Sequence, residues 1–146
     1  MKSFKHSLTA VAVAAAFAGG AVQAQQVSDG VIKIGVLSDM SSLYTDLAGA
    51  GSVLAARMAL EDSGIAKRGY KVEIVSADHQ NKPDVGSSVA RQWYDVDKVD
   101  VIVDNPNSGV ALAVNQITRD KGKAFLNSGA ASSSSARSRS RSRTST

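Results

Sequence analysis

The sequence predicts an α/β protein in which a Rossmann-like parallel sheet carries helices on both faces. Three observations lead to this prediction. Short β-rich runs alternate with helical stretches from Val31 onward, the helical stretches have apolar residues at helical spacing, and each predicted strand ends in a short polar loop. Alternating strands and helices are typical of a parallel sheet, because each parallel connection has to cross over the sheet.

Four strands are predicted from short β-rich runs. The second run alternates apolar and polar positions, as an edge or half-buried strand does. The predicted strands are residues 31–37, 70–77, 99–103 and 123–126.

Three helices are predicted between the strands, each with the apolar stripe of a helix packed against a core. Pro83 stands at a natural start for the second helix, and Gly64 and Gly122 close the first and the third. The stripes consist of Leu47, Ala50, Leu54 and Met58 in the first helix, of Val85, Val89 and Trp93 in the second, and of Val110, Val114 and Ile117 in the third.

Residues 1–24 have the features of a secretory signal peptide. Lys2 and Lys5 precede an apolar run at residues 8–18, and small residues lead up to Ala24, after which we expect cleavage. The apolar run is shorter than the roughly 20 residues of a transmembrane helix. The alternative, an N-terminal helix of a cytosolic domain, would require an amphipathic stripe that this run lacks. We therefore expect a periplasmic protein.

After the leader we expect one α/β lobe at residues 25–131 and a disordered, Ser/Arg-rich tail at residues 132–146. The tail has no apolar residue larger than alanine, so it cannot bury a face. It is interpreted either as a basic arm for RNA or for kinases, or as an aberrant end such as a shifted reading frame. We favour the second interpretation, because such an arm has no obvious task on an exported protein.

The charge of the lobe argues against nucleic acid as a partner. Of the 17 basic residues, two lie in the leader and four in the tail, so 11 stand against 13 acidic residues in the lobe. Nucleic-acid binding depends on clustered Lys and Arg, which this balance does not provide. The sequence has no cysteine. It therefore offers no disulfide, no thiolate and no cysteine for a lipid anchor after the leader.

No motif indicates an enzyme, a cofactor or a metal. His79 is the only histidine after the leader, so neither a site with two histidines nor a catalytic triad with a second one can be built. Residues 49–52 contain half of a dinucleotide-binding fingerprint, but they lie too far from the strand and lack the third glycine. Asp39 and Asp104 could hold magnesium, as in a receiver domain, yet the paired acidic residues of that site are missing. We expect Asp104 to cap a turn.

The loops after the four predicted strands are rich in serine, asparagine and glycine. Small side chains let a ligand approach backbone N–H groups, and the amino ends of the helices behind them favour a carboxylate. The same residue types are ordinary helix caps and turn formers. Four such loops at one edge of a sheet nevertheless favour a binding site. The loops are residues 38–42, 78–81, 104–109 and 127–130.

With the leader and the runs at residues 31–39 and 49–62, the sequence resembles a known family. It is similar to the amino-terminal part of periplasmic substrate-binding proteins of branched-chain amino acid (Leu/Ile/Val-type) ABC transporters. Residues 78–84 and 127–132 strengthen the resemblance, which covers residues 25–133. It implies a non-catalytic protein that binds an amino acid or a similar small carboxylate and delivers it to a membrane permease.

The resemblance also implies a fold and a set of ligand-binding residues. Family members are clamps of two Rossmann-like lobes that close on the ligand. The loops after the third and fourth strands would hold the ligand's carboxylate and ammonium, and the loop after the first strand would line the cleft. The residues are Asn107 and Ser108 in the third loop, Ala130 and Ser132 in the fourth, and Ser42 and Tyr44 in the first.

Family members run to several hundred residues, so we expect a truncated form with an unpaired sheet edge and exposed apolar helix faces. The resemblance implies that the second lobe, which the expected truncated form lacks, shares in ligand specificity. A secreted sensor or signalling domain of flavodoxin-like topology is the alternative, since it would use the same loops. An enzyme is disfavoured by the missing nucleophile, base and metal ligands.

Overall fold

The computed structural model describes residues 30–132. The predicted leader lies outside this range, as does the predicted tail apart from Ser132. Four strands and three helices alternate in the predicted order. Their bounds are β1 Val31–Ser38, α1 Gly49–Asp62, β2 Lys71–Asp78, α2 Pro83–Gln92, β3 Val101–Val103, α3 Ser108–Asp120 and β4 Ala124–Leu126. None of the helices within residues 30–132 has the length and apolar character that crossing a membrane requires.

All four strands are parallel, and their order in the sheet is β2-β1-β3-β4. The two longest strands pair along their whole length, from Val31 opposite Lys71 to Ser38 opposite Asp78. The chain moves outward from β1 to β2 and then back across β1 to β3 and β4. Right-handed crossovers therefore place α1 on one face and α2 with α3 on the other. The predicted α/β class with helices on both faces is confirmed.

The hydrophobic core lies between the sheet and the pair α2 and α3. Gly35 of β1 faces Trp93, and a Cβ there would lie 2.6 Å from Cε3 of the indole. The glycine thus makes room for the ring, and the prediction of Trp93 as a core residue is confirmed. The core residues are Leu37, Ala90, Trp93, Tyr94, Val99, Ile102, Val110, Val114 and Ile117.

The chain leaves α2 through a π-helical turn, Trp93–Asp97. The buried Tyr94 hydroxyl lies 3.0 Å from Thr118 Oγ1 of α3 and donates to the Ala124 carbonyl of β4 at 3.1 Å. Burial raises the pKa of Tyr94 to about 12, so the hydroxyl keeps its proton. This side chain ties the third helix and the fourth strand to the turn.

Helix α1 packs through a different face from the one predicted. Its half-buried apolar residues are Val53, Ala56 and Leu60. The predicted stripe of Leu47, Ala50, Leu54 and Met58 points outward, and the side chains of Leu54 and Met58 are 60% and 54% exposed. That prediction was wrong, because α1 carries apolar residues on two faces and helical spacing does not tell which of them meets the sheet. Leu54 and Met58 are called the outer stripe below.

We expect Gly86→Ala to destabilise the fold. A Cβ at this position in α2 overlaps Cγ1 of Val110 in α3 and comes within 3.6 Å of His79 Cβ, so the two helices have to move apart. Overpacking of this kind costs about 1–3 kcal/mol. Urea denaturation of the full chain would show it as a lower midpoint.

Gly51→Ala is the matched control, because Gly51 is also helical and an added Cβ there meets nothing within 4 Å. Its free energy of unfolding should rise by about 0.5–1 kcal/mol, since alanine favours a helix interior. Equal effects of the two substitutions would contradict the close approach of α2 and α3.

We expect Leu54→Glu combined with Met58→Lys to reduce self-association and to leave the free energy of unfolding within about 0.5 kcal/mol. The outer stripe is exposed, and the new pair has the favourable i, i+4 spacing of opposite charges. Sedimentation velocity would measure association. A loss of about 2 kcal/mol or more would mean that the outer stripe is buried in the folded chain.

Candidate functional site

Four loops meet at the edge of the sheet where the strands end. They are residues 39–48, 79–82, 104–107 and 127–132, and together they are called the rim below. The parallel pairing brings them together, because it places the carboxyl ends of all four strands at one edge. All six residues predicted to bind ligand lie in the rim or at the first position of α3.

The first rim loop is built around the buried Asp39. Its carboxylate accepts hydrogen bonds from the Ser42 amide at 3.0 Å, the Ser42 hydroxyl at 2.7 Å and the Tyr44 amide at 2.9 Å. Burial on its own would raise the pKa of Asp39, but these hydrogen bonds outweigh it and hold the pKa below 3.8. The Ser42 hydroxyl, predicted to line a ligand cleft, therefore donates to Asp39 here.

Asp78, the last residue of β2, ties the second rim loop to the first. It accepts from the Met40 amide at 2.9 Å, from the Ser41 hydroxyl at 2.5 Å and from the Gln80 amide at 2.8 Å. Burial opposes ionisation, yet these donors and the nearby His79 lower the pKa of Asp78 below 3.8. The carboxylate thus holds two loops together in its charged form.

Two asparagines join the second rim loop to the third. The Asn107 side-chain amide donates to Asn81 Oδ1 at 2.5 Å, and Asn107 Oδ1 accepts from the Val110 amide at 2.9 Å. The second bond caps the start of α3. Both polar ends of the Asn107 side chain are therefore engaged within the protein.

The third rim loop contains strained and buried polar residues. Asp104 and Asn105 have backbone φ values of 74° and 88°, which residues other than glycine rarely adopt. Asp104 accepts from the Ser128 hydroxyl at 2.8 Å and so holds the fourth loop, instead of capping a turn as predicted. Within residues 30–132, Asp104 Oδ2 and both side-chain polar atoms of Asn105 are buried without a partner.

His79 is fully buried beneath the rim. Its Nδ1 accepts from the Asn81 amide at 3.0 Å, and its Nε2 has no partner among residues 30–132. Burial lowers the pKa of His79, although the carboxylates of Asp39, Asp78 and Asp104 act in the opposite direction. The imidazole is therefore neutral at neutral pH. The sequence marked this residue only as a lone histidine.

The fourth rim loop turns sharply against the third. The Asn127 side chain accepts from the Ala130 amide at 3.1 Å, and a Cβ at Gly129 would lie 3.1 Å from Pro106 Cα. Ala130 and Ser132, both predicted to bind ligand, are half-buried here. The third and fourth loops thus form one packed corner beside the start of α3.

Among residues 30–132, no three acidic or histidine side chains are placed to hold a metal ion. A surface cavity of about 280 Å³ lies toward the amino ends of the strands, away from the rim. Its lining residues are Lys33, Glu73, Val75, Trp93, Asp97 and Val99.

The rim can hold a small anion through backbone groups. The first amides of a helix have no acceptor within the helix and carry partial positive charge, and at α3 these belong to Ser108 and Gly109. Gly109 is exposed and Ser108 half-buried, so both are open to approach. The rim therefore presents donors on loops that are fixed by their own side chains.

Comparison with known proteins agrees with this architecture. A family model described as periplasmic binding protein matches residues 31–144. Among solved structures, a periplasmic binding protein from Burkholderia mallei is 42% identical with a TM-score of 0.69, and the match covers 72% of this chain and 28% of that one. A search of the curated proteins finds no match.

Two further structures extend the comparison. A branched-chain amino acid ABC transporter periplasmic ligand-binding protein from Burkholderia xenovorans is 53% identical with a TM-score of 0.61, over 65% of this chain and 26% of that one. An ABC transporter solute-binding protein from R. palustris, in complex with 4-hydroxybenzoate, is 25% identical with a TM-score of 0.67, over 73% and 29%.

The chain spans less than a third of the length of these three relatives. The match to the family model nevertheless extends from the start of β1 past the end of β4. This chain therefore belongs to the periplasmic binding protein family.

Proposed function

We propose that this chain belongs to the periplasmic solute-binding component of an ABC transporter and contributes the rim to a site for an amino acid or a similar small carboxylate. A membrane permease is the partner, and the chain catalyses no reaction. The observation that carries the proposal is the match to the family model, which spans all four rim loops. The rim also presents backbone donors at the start of α3. The signal-peptide features of residues 1–24 support a periplasmic location.

The start of α3 is the proposed contact for the ligand carboxylate. The amides of Ser108 and Gly109, together with the Ser108 hydroxyl, offer three donors in the first helical turn. Asn107 contributes by fixing this turn through its bond to the Val110 amide. Its predicted role is thereby refined from direct contact to support of the contact.

The other predicted residues are proposed to complete the contact surface. The Ala130 carbonyl and Ser132 supply acceptors for an ammonium group beside the carboxylate contact. Tyr44 and Ser42 lie in the first rim loop, and Tyr44 is half-buried while Ser42 is exposed. These two would line the entrance from the side of β1.

The solved relatives suggest which carboxylates to test. The name of the Burkholderia xenovorans protein refers to branched-chain amino acids, and the R. palustris protein was solved with 4-hydroxybenzoate. These ligands differ in their side chains and in the ammonium group but share a carboxylate. Recognition of that shared group fits donors at a helix start.

A secreted sensor of flavodoxin-like topology is the second candidate. The strand order β2-β1-β3-β4 favours it, because flavodoxin-like proteins share this order and also bind ligands at the carboxyl edge. The family match favours the transport role over this alternative. A sensor and a transport protein would differ in whether a permease is bound.

We expect leucine and 4-hydroxybenzoate to shift the backbone amide resonances of Ser108 and Gly109 when they are titrated into the full chain. Ser108→Ala should weaken binding by about 10- to 150-fold, because a hydrogen bond to a charged group contributes about 1.5–3 kcal/mol. Two-dimensional NMR would measure both effects.

The matched ligands are leucinamide and 4-hydroxybenzamide, which lack the carboxylate and should leave these resonances unchanged. Ser88→Ala is the matched variant, since Ser88 is exposed and donates only to the Asp84 carbonyl within α2. If leucinamide and 4-hydroxybenzamide shift the Ser108 and Gly109 resonances as much as the two carboxylates do, the proposed carboxylate site is wrong. It is also wrong if none of these compounds binds at millimolar concentration.

We expect the chain to lose stability as the pH falls below 3.8. Asp39 and Asp78 have lower pKa values in the folded chain than their ordinary 3.8, so their contribution is complete above 3.8 and is lost as the pH falls through their folded values. Asp39→Asn should cost about 1–3 kcal/mol at pH 7, because it replaces one acceptor oxygen of a buried, hydrogen-bonded carboxylate with a donor.

The cost of Asp39→Asn should shrink at low pH, where the native carboxylate is also protonated. Denaturation at several pH values would measure it. Asp46→Asn in the same exposed loop is the control and should change stability by less than about 0.5 kcal/mol. A cost of Asp39→Asn that stays constant with pH would contradict the role of the charged form.

A further inference from the structure

His79 occupies a central place beneath the rim that ligand contact alone does not explain. Its Nδ1 accepts from the Asn81 amide, so this nitrogen carries no proton and the neutral ring has its proton on Nε2. His79 is fully buried, its backbone amide donates to the Ser38 carbonyl at the end of β1, and its Cβ faces Gly86 of α2. Its protonation state therefore decides whether Nδ1 can remain an acceptor.

The turn that His79 holds is strained. Gln80 and Asn81 both have positive φ values, 52° and 59°, which cost a non-glycine residue energy. Three hydrogen bonds keep the turn in place. They run from the Gln80 amide to Asp78 Oδ1, from the Asn81 amide to His79 Nδ1 and from the Lys82 amide to the His79 carbonyl.

The same turn positions the third rim loop. Asn81 Oδ1 accepts from the Asn107 side-chain amide, and the other end of that side chain accepts from the Val110 amide at the start of α3. A continuous series of hydrogen bonds thus runs from the imidazole to the first turn of α3. A change in the turn at residues 79–82 reaches the proposed carboxylate contact through Asn107.

The charged groups that act on the ring come from three strand ends. They are Asp39 after β1, Asp78 at the end of β2 and Asp104 after β3, and all three favour the protonated ring. Burial opposes protonation more strongly and lowers the pKa of His79 below 6.5. From helix α2, Gly86 faces His79 Cβ and brings no charge. The ring therefore takes up its proton at a pH below 6.5.

We propose that His79 is a proton-sensitive positioning residue whose neutral Nδ1 holds the Asn81 turn and, through Asn81 and Asn107, the start of α3. A proton on Nδ1 turns the acceptor into a donor that faces the Asn81 N–H, so the bond breaks and the turn is released. The Asn107 side-chain amide then loses its acceptor, Asn81 Oδ1. The consequence for ligand affinity rests on the proposed function, whereas the consequence for Asn107 does not.

The test is an NMR titration of the full chain between pH 7.5 and about pH 5, where aspartates with ordinary or lowered pKa values stay largely ionised. The backbone amide of Asn81, the side-chain amide of Asn107 and the backbone amide of Val110 should shift together with His79 and with a single midpoint below 6.5. Resonances of Asn107 and Val110 that stay constant while His79 titrates would overturn the proposal.

His79→Asn is the informative variant. Its side-chain oxygen can accept from the amide two residues later, as asparagine does in such turns, but it does not titrate in this range. The joint shift of Asn107 and Val110 should disappear. Persistence of the same shift and midpoint in this variant would assign the titration to another group and refute the proposal.

Asn81→Gly interrupts the hydrogen bonds between His79 and Asn107 and leaves the imidazole in place. It also covers the case in which His79→Asn fails to fold. Glycine tolerates the positive φ and retains the backbone amide, but it removes the acceptor of Asn107. His79 should still titrate and the Asn107 side chain should no longer respond. A response of Asn107 that is unchanged in Asn81→Gly would show that the signal does not pass through Asn81.

Leucine is the probe for the effect on binding, because its carboxyl group stays ionised throughout this range. Its affinity for the wild-type chain should fall by up to tenfold per pH unit below the midpoint, as for one linked proton, and His79→Asn should abolish this dependence. A pH-independent affinity would refute the effect on the ligand. Absence of leucine binding at every pH would refute the proposed function. The pH-dependent shift of the Asn107 side-chain amide would still test the connection from His79 through Asn81 to Asn107.

Discussion

Parallel pairing of the four strands is the constraint on which the rim depends. Ser38 lies opposite Asp78 in the register of β1 and β2, so the loops that follow them start side by side. Only for this reason can Asp78 reach donors in the loop after β1 and Asn107 reach Asn81. A shift of one residue in the register would turn these side chains to the other face of the sheet and separate the loops.

Many polar side chains of the rim form hydrogen bonds with other rim residues. The hydroxyl of Ser42, the side-chain amide of Asn107 and the hydroxyl of Ser128 all bind other rim residues. What remains open is chiefly backbone, at the start of α3 and around Ala130. Ordered loops lose little further freedom when a ligand binds, which lowers the entropic cost of binding at the rim.

The sequence predicted the strand order along the chain, the parallel class and the position of the polar loops, because these follow from local patterns. It failed for α1, where Leu54 and Val53 both lie on apolar faces and only the tertiary structure selects one. It also missed the partners of Asp78 and Asp104 and the burial of His79. These depend on which loops become neighbours, and residue spacing carries no information on distances between loops.

The position of β1 has a consequence for vectorial synthesis. Within residues 30–132 it is the first strand along the chain, yet it is an inner strand, and one of its edges meets a partner 67 positions later, where Ile34 pairs with Val101. Until that partner emerges, a valine- and isoleucine-rich strand keeps an open edge, which attracts non-native neighbours. The inner position of β1 therefore means that one of its edges stays unpaired until most of the described chain has been made.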